Sequence, residues 1–228
     1  MSDPTVGEIK IGSSEPISAS ILPQIVHRFF QKYPGVVLDV DDTPLFSFAP
    51  KLRERSLDLV LSQTGRLLAD DGFYDDFNVE VLFYDQVVIA TGAQSRWARR
   101  RKIDLAELAD EPWILAGSDA WNYKIVAEAF RARGLDMPKI SVKTLSLALR
   151  TNLIATGQYI AAMPNLVLHS YADRFLLKGL PVDLPFRPWP IAIITLKNRT
   201  LSPVAERFIE AAREVAKSFS SVMPTRRA

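Results

Sequence analysis

Residues 6–42 read VGEIKIGSSEPISASILPQIVHRFFQKYPGVVLDVDD and contain three segments with different periodicities. Ile9 and Ile11 alternate with polar neighbours, which is typical of a strand. Apolar residues then repeat at steps of three and four over 17–33, which predicts an amphipathic helix. Residues 36–42 alternate again and predict a second strand. The stretch therefore predicts a right-handed β-α-β unit with parallel strands.

The junction between the first strand and the helix is Gly12-Ser13-Ser14. A serine at such a turn can be a nucleophile, or it can cap the helix without any ligand. It can also help to bind an anion, because the free N–H groups and the dipole of a helix N-terminus attract negative charge. Glu15 disfavours an anion if its side chain points inward. The stretch alone leaves these interpretations open.

The remainder of the chain repeats the strand and helix pattern. A long extended run at 80–91 is followed by a second β-α set that begins near residue 113, and an apolar strand at 190–196 precedes the last helix. We therefore predict an α/β fold of two Rossmann-like lobes with mostly parallel sheets, joined by two crossover strands. Lobe I is predicted at 6–84 and 197–220, and lobe II at 85–196. Open α/β sheets bind ligands at the carboxyl ends of their strands, so we expect the ligand in the cleft between the lobes.

Composition limits the chemistry that this chain can perform. The 228 residues carry a net charge of +2 and include no cysteine, which excludes disulfides and thiolate metal sites. The two histidines, His27 and His169, share helical faces with polar residues and are predicted to be structural or solvated. No catalytic motif, cofactor motif or metal-ligand cluster is present, so we predict neither an enzyme nor a cofactor. No export signal or spanning segment is found, which favours the cytoplasm.

The sharpest charge feature is a basic run that comprises Arg96, Arg99, Arg100, Arg101 and Lys102. One interpretation is a contact with phosphate or nucleic acid. The other is a solvated surface, which the acidic residues at 104–111 favour. The adjacent carboxylates Asp41-Asp42 and Asp75-Asp76 are predicted to be solvated turns.

Seven segments in this order and spacing resemble the C-terminal effector-binding domain of LysR-type transcriptional regulators. They are GEIKIGSS, LPQIVHRFFQKYPGVVLDV, LRERSLDLVLS, VLFYDQVVIAT, DLAELADEPWI, LIATGQYIAAMP and LSPVAERFIEAAREV, and together they cover about residues 6–218. The resemblance implies the fold of type 2 periplasmic binding proteins, with a small-molecule inducer between the lobes. It also implies homodimers of the domain, tetramers of the full-length regulator, and control of transcription through effector sensing.

The N-terminal winged helix-turn-helix of such regulators has no counterpart in these residues. We therefore expect a fragment or a stand-alone relative, with DNA binding left to the parent protein. The resemblance places candidate effector contacts where strands end, at Ser13, Ser14, Thr43, Gln63, Thr64, Ser118, Trp121 and Asn122. Trp121 and Tyr123 can stack on a ring-bearing effector or pack in the core. Hydroxyl and amide groups suggest a small carboxylate, which can be an aromatic acid.

Two other classes of protein use the same two-lobe fold. A solute-binding protein of a transport system is the first alternative, and it should carry an export signal or a lipid-anchored cysteine. An enzyme is the second, and it needs an acid, a base or a nucleophile in the cleft. The sequence supports neither requirement, so the regulator domain is the preferred interpretation.

Overall fold

The computed structural model describes residues 6–42, 47–64 and 75–220. The chain divides into two compact units. Unit 1 comprises Met1–Asp85 and Pro188–Ala228, and unit 2 comprises Gln86–Arg187. Each unit has a five-stranded sheet of its own.

In the described residues, unit 1 has five strands and four α-helices. Its strands are β1 (Val6–Ser13), β2 (Gly35–Asp41), β3 (Leu59–Gln63), β4 (Phe77–Asp85) and, after unit 2 in the chain, β10 (Trp189–Leu196). Its helices are α1 (Glu15–Ser18), α2 (Leu22–Lys32), α3 (Phe48–Arg53) and α7 (Pro203–Ser220).

The elements of unit 2 follow the same plan. Its strands are β5 (Val87–Gly92), β6 (Trp113–Leu115), β7 (Ile140–Lys143), β8 (Ile160–Pro164) and β9 (Leu177–Gly179). Its α-helices are α4 (Trp121–Arg131), α5 (Leu147–Ala155) and α6 (Asn165–Phe175), and two 3₁₀ helices span Arg96–Arg99 and Leu105–Leu108.

The two sheets have equivalent strand orders, β2-β1-β3-β10-β4 in unit 1 and β7-β6-β8-β5-β9 in unit 2. In each sheet the first three strands are parallel, and the fourth is antiparallel to both of its neighbours. Four of the five strands therefore run in the same direction. The predicted α/β fold with mostly parallel sheets is confirmed.

Apolar faces fix the helices on the sheet of unit 1. On one side α7 packs on α2, β1 and β4, where the rings of Phe29 and Phe208 meet edge to face at 5.4 Å. Arg213 of α7 donates from Nε and Nη2 to the two carboxylate oxygens of Glu80 at 2.6 and 2.7 Å. This charge-assisted pair raises the pKa of Arg213. The helix α3 is part of a second buried apolar cluster, to which its residues Phe48 and Leu52 belong. Both faces of the sheet are thus covered.

The single helix predicted over 17–33 is wrong near its start, because the structure has a break at 19–21 and two helices. α1 ends at Ser18 and α2 begins at Leu22. Pro23 lies in the first turn of α2, where the missing N–H costs no hydrogen bond. The Ser20 hydroxyl donates to the Pro16 carbonyl at 2.5 Å, which satisfies a carbonyl at the break. The proline therefore begins a helix instead of kinking one.

The extended run predicted at 80–91 is also two strands. β4 belongs to the sheet of unit 1 and β5 to that of unit 2, with Gln86 between them. The predicted end of lobe II at residue 196 differs more from the structure, in which unit 2 ends at Arg187. The structure places β10 in unit 1, where it pairs with β3 and β4.

Candidate functional site

The strongest candidate site in unit 1 lies at the carboxyl ends of β1 and β3. These strands are parallel neighbours in which Ser13 pairs with Leu61, so the residues that follow in each strand meet at one edge of the sheet. Ser14 follows β1 directly, and Ser62 and Gln63 end β3. The fold therefore brings together the candidates that sequence analysis took from separate strands.

Three side-chain polar atoms at this edge are enclosed but have no hydrogen-bond partner among the described residues. They are Ser14 Oγ, Ser62 Oγ and Gln63 Nε2. Buried polar atoms are nearly always paired, and leaving one unpaired costs about 1–3 kcal/mol. These atoms are therefore available to a bound ligand or to water.

Two other candidates at this edge have contacts within the protein. Ser13 is fully buried, and its Oγ lies 3.5 Å from the Ser14 carbonyl, at the limit of a hydrogen bond. Thr64 donates its backbone N–H to the Pro190 carbonyl at 3.0 Å, and its hydroxyl lies 3.4 Å from the same oxygen. Thr64 thus holds the start of β10 against the end of β3. Thr43 lies outside the described residues.

Glu15 bears on whether an anion could bind beside Ser14. Its side chain is exposed, so it does not bring a buried negative charge to this edge. Ser14 has an extended backbone (φ −80°, ψ 149°) and occupies the cap position of α1, but its side chain makes no capping bond. The interpretation of Ser14 as a plain helix cap is therefore not supported by the geometry.

The candidates of unit 2 lie near the carboxyl end of β6. Ser118 is exposed in the loop, and Trp121 is half-buried as the first residue of α4. Asn122 is 1% exposed; its Oδ1 accepts the Tyr123 N–H at 2.9 Å, and its Nδ2 has no partner among the described residues. Asn122 is therefore the residue of this group that, like Ser14, Ser62 and Gln63, has a buried polar atom without a partner among the described residues.

The neighbouring strand of unit 2 supplies two residues that sequence analysis missed. β7 is parallel to β6, so the helices that follow the two strands begin at the same edge. Arg150 and Thr151 of α5 are 4% and 1% exposed, and Thr151 Oγ1 has no partner in the described part of the chain. The available signal was a charged and a hydroxylated residue in a helix that is apolar apart from these two and Asn152. In unit 1, Ser62 could be noticed in the same way, because it is the polar residue in the otherwise apolar segment LVLS (59–62).

The described ranges include both histidines and other side chains that can ligate a metal ion. They contain no group of three or more metal-ligating side chains. His27 is exposed and contacts Gln31 at 3.1 Å, and His169 is also exposed, as predicted. No helix of the described chain is long and apolar enough to cross a membrane.

The family model described as the LysR substrate binding domain matches residues 2–217. Curated relatives include the transcriptional dual regulator GltC of Bacillus subtilis (strain 168), which is 23% identical over 91% of this chain and 67% of that protein. The regulator TdcA of Escherichia coli (strain K12) is 24% identical over 94% of this chain and 66% of that protein. TtuA of Agrobacterium vitis is 27% identical over 68% of this chain and 50% of that protein. The match thus spans half to two thirds of these regulators.

Solved structures with the same fold include the effector-binding domain of QuiR in complex with shikimate. It superposes with a TM-score of 0.69 at 20% identity, over 93% of this chain and 98% of that one. The regulatory domain of Synechocystis PCC6803 CcmR with 2-PG gives a TM-score of 0.73 at 19% identity, over 92% and 98%. A transcriptional regulator from Vibrio parahaemolyticus gives 0.77 at 19% identity, over 97% and 100%. Together, the fold and the family match over nearly the whole length show that this chain belongs to the LysR substrate-binding domains.

Proposed function

We propose that this chain senses a small organic effector for a LysR-type transcriptional regulator. The observation that carries the proposal is the set of enclosed, unpartnered atoms at the edge of the unit 1 sheet, Ser14 Oγ, Ser62 Oγ and Gln63 Nε2. A ligand that supplies oxygen atoms there replaces hydrogen bonds that the protein does not make itself. The proposal is supported by family membership and by relatives that are regulators.

The chemistry of the donors suggests which ligands to test first. Serine hydroxyls and the glutamine amide are uncharged and can donate hydrogen bonds to acceptor oxygens. Such donors suit a carboxylate, a similar oxyanion or a hydroxylated carbon skeleton. The effector-binding domain of QuiR was solved with shikimate, which makes small hydroxylated and aromatic acids the first class to examine. Asn122 and Thr151 of unit 2 are proposed as further contacts.

The proposed mechanism is a shift between arrangements of regulator subunits. An effector that binds one arrangement more tightly increases its population, by an amount set by the difference in affinity. We infer that the domain forms homodimers and that the full-length regulator forms tetramers. Binding of DNA is assigned to a winged helix-turn-helix of that regulator, and the site of action is assigned to the cytoplasm. Regulators among the relatives favour this function over solute transport.

A thermal-shift screen of this chain against small organic acids is the direct test. A ligand at 100 times its Kd adds about 2.7 kcal/mol to the free energy of unfolding, which corresponds to a rise in Tm of roughly 5–10 °C for a chain of this size. We expect a saturable hit from the carboxylate class. A broad library of acids without any saturable shift contradicts the proposed ligand class.

Variants of the proposed site test which residues bind that hit. We expect Ser14→Ala and Gln63→Ala each to weaken binding about fivefold to tenfold, because each removes a hydrogen bond worth about 1 kcal/mol or more. The matched controls are Ser141→Ala and Gln24→Ala, which change exposed residues of the same types. Isothermal titration calorimetry measures all four. Unchanged affinity in both site variants places the ligand elsewhere.

A further inference from the structure

The basic run of unit 2 is divided by the structure into two groups of side chains. Arg96 and Arg100 form the first group. Arg96 pairs with Glu111, and Arg100 Nη2 donates to Glu107 Oε1 at 2.9 Å. Both guanidinium groups also lie over the ring of Trp97, 4.9 and 5.8 Å from its centroid. The charges of this group are paired within the protein.

The second group, Arg99, Arg101 and Lys102, is exposed and has no ion pair in the described ranges. Three nearby carboxylates pair with other side chains, whereas Asp183 lines the same surface pocket as Lys102. Glu107 and Glu111 hold the first group, and Asp104 lies 3.6 Å from Arg133. Three positive charges within four residues are therefore left facing solvent. We call Arg99, Arg101 and Lys102 the basic patch.

The segment that carries the basic patch is fixed at both ends. At the start, Ser95 Oγ accepts the Trp97 N–H at 3.4 Å, and Trp97 is buried. At the end, Ile103 is buried and its N–H donates to the Pro181 carbonyl at 3.2 Å. A fixed backbone has less conformational entropy to lose when it binds a partner. The patch is thus presented on an ordered support.

Formal charge is also divided unequally between the two units. Unit 2, residues 86–187, contains 14 Lys and Arg against 9 Asp and Glu, a net charge of +5. Unit 1 contains the other 14 Lys and Arg against 17 Asp and Glu, a net charge of −3. The near-neutral total conceals this difference. The net positive charge of unit 2, which carries the basic patch, attracts polyanions to that unit.

We propose that the basic patch binds the phosphate backbone of double-stranded DNA. The surface of the segment is charged and its aromatic residue, Trp97, is buried, so it lacks the exposed aromatic anchor that protein interfaces favour. Arginine and lysine side chains suit phosphate contacts, which position a protein without reading sequence. This contact adds to the DNA binding that is assigned above to a winged helix-turn-helix, because phosphate contacts carry no sequence information and can lie outside the domain that reads the bases. It does not depend on the effector site.

The test measures binding of this chain to a fluorescent duplex of arbitrary sequence by anisotropy between 20 and 100 mM NaCl. Three phosphate contacts predict a slope of log K against log salt of about −2.7, which corresponds to roughly tenfold weaker binding at 50 mM than at 20 mM. The variant Arg99→Gln/Arg101→Gln/Lys102→Gln should lose at least tenfold in affinity at 20 mM. Its slope should approach zero.

The matched control is Lys124→Gln/Arg131→Gln/Lys143→Gln, which removes three exposed positive charges from the same unit. We expect this control to retain most of the affinity and the slope. Equal losses in the two triple variants mean that net charge alone attracts DNA, and they overturn the proposal. Absence of binding by the unmodified chain at 20 mM also overturns it and favours an acidic protein as partner.

Two further measurements keep this result separate from the effector proposal. The Tm of each triple variant should match that of the unmodified chain, because the substituted residues are exposed. The basic-patch variant should retain the thermal shift produced by a saturating effector, because it leaves Ser14, Ser62 and Gln63 unchanged. Loss of DNA binding without loss of an effector shift, or the reverse, identifies which of the two proposals fails.

Discussion

Replacement of Gly92 by alanine is expected to lower the free energy of unfolding by about 3 kcal/mol, near the upper end of overpacking effects. A Cβ at this last residue of β5 would lie 2.7 Å from the Ile154 carbonyl oxygen. It would also lie 2.9 Å from the Ala155 oxygen and 2.9 Å from the Gly157 nitrogen. All three atoms belong to the backbone at the end of α5, so no side-chain rotation relieves the overlap. The strand or the helix has to move.

Thermal and urea unfolding of Gly92→Ala measure this effect, which should appear as a fall in Tm of roughly 6–12 °C. Gly117→Ala is the matched control, because a Cβ at Gly117 meets nothing within 4 Å. We expect that control to stay within about 0.5 kcal/mol of the unmodified chain, as surface substitutions usually do. A stable Gly92→Ala protein would show that β5 and α5 can separate without cost.

Replacement of Asp58 by alanine is expected to lower the free energy of unfolding by about 2–3 kcal/mol, because it removes two charge-assisted hydrogen bonds. Asp58 Oδ2 accepts the Lys10 N–H of β1 at 2.9 Å, and Oδ1 accepts Arg199 Nη2 at 2.6 Å. The Asp58 and Arg199 side chains are only 19% and 17% exposed. The substitution leaves a largely buried guanidinium without its counterion.

Urea denaturation of three variants resolves the origin of this loss. Asp58→Asn retains an acceptor and should cost less than Asp58→Ala. Arg199→Met removes the other partner, and the double variant with Asp58→Ala gives the coupling free energy between the two side chains. Asp136→Ala changes an exposed carboxylate and should be neutral. A coupling near zero would mean that the Lys10 contact alone accounts for the effect.

Sequence periodicity predicted the type and order of most elements, because burial repeats every two residues in strands and about every 3.6 in helices. It failed where the pattern continues across a break. The apolar stripe runs through both α1 and α2, so it does not reveal that Ser18 and Leu22 belong to different helices. Alternation likewise continues through Gln86, although the pairing partner changes there from β10 to β8 and β9. Pairing depends on distant segments, which local periodicity does not contain.

The candidate site was predictable in part for a geometric reason. Carboxyl ends of parallel strands share an edge, so Ser14 could be placed there from strand order, and the family resemblance added Gln63. The sequence marks Ser62 and Thr151 only as polar residues in largely apolar segments, and their interest lies in buried hydroxyls that have no partner among the described residues. That property depends on every neighbour in three dimensions. Thr64 is a predicted candidate of the opposite kind, because the structure shows its N–H and hydroxyl directed to the Pro190 carbonyl within the protein.

The position of β10 between β3 and β4 in the unit 1 sheet has a consequence for synthesis on the ribosome. β3 and β4 each pair with β10, which lies more than 100 residues later in the chain, whereas unit 2 is one continuous segment, 86–187. Domains tend to fold as units as they emerge, and contacts distant in sequence form slowly. Unit 2 can therefore complete its sheet during translation, while the nascent unit 1 must wait with two strand edges unpaired. Chaperone dependence and truncation sensitivity should accordingly concentrate in the N-terminal 85 residues.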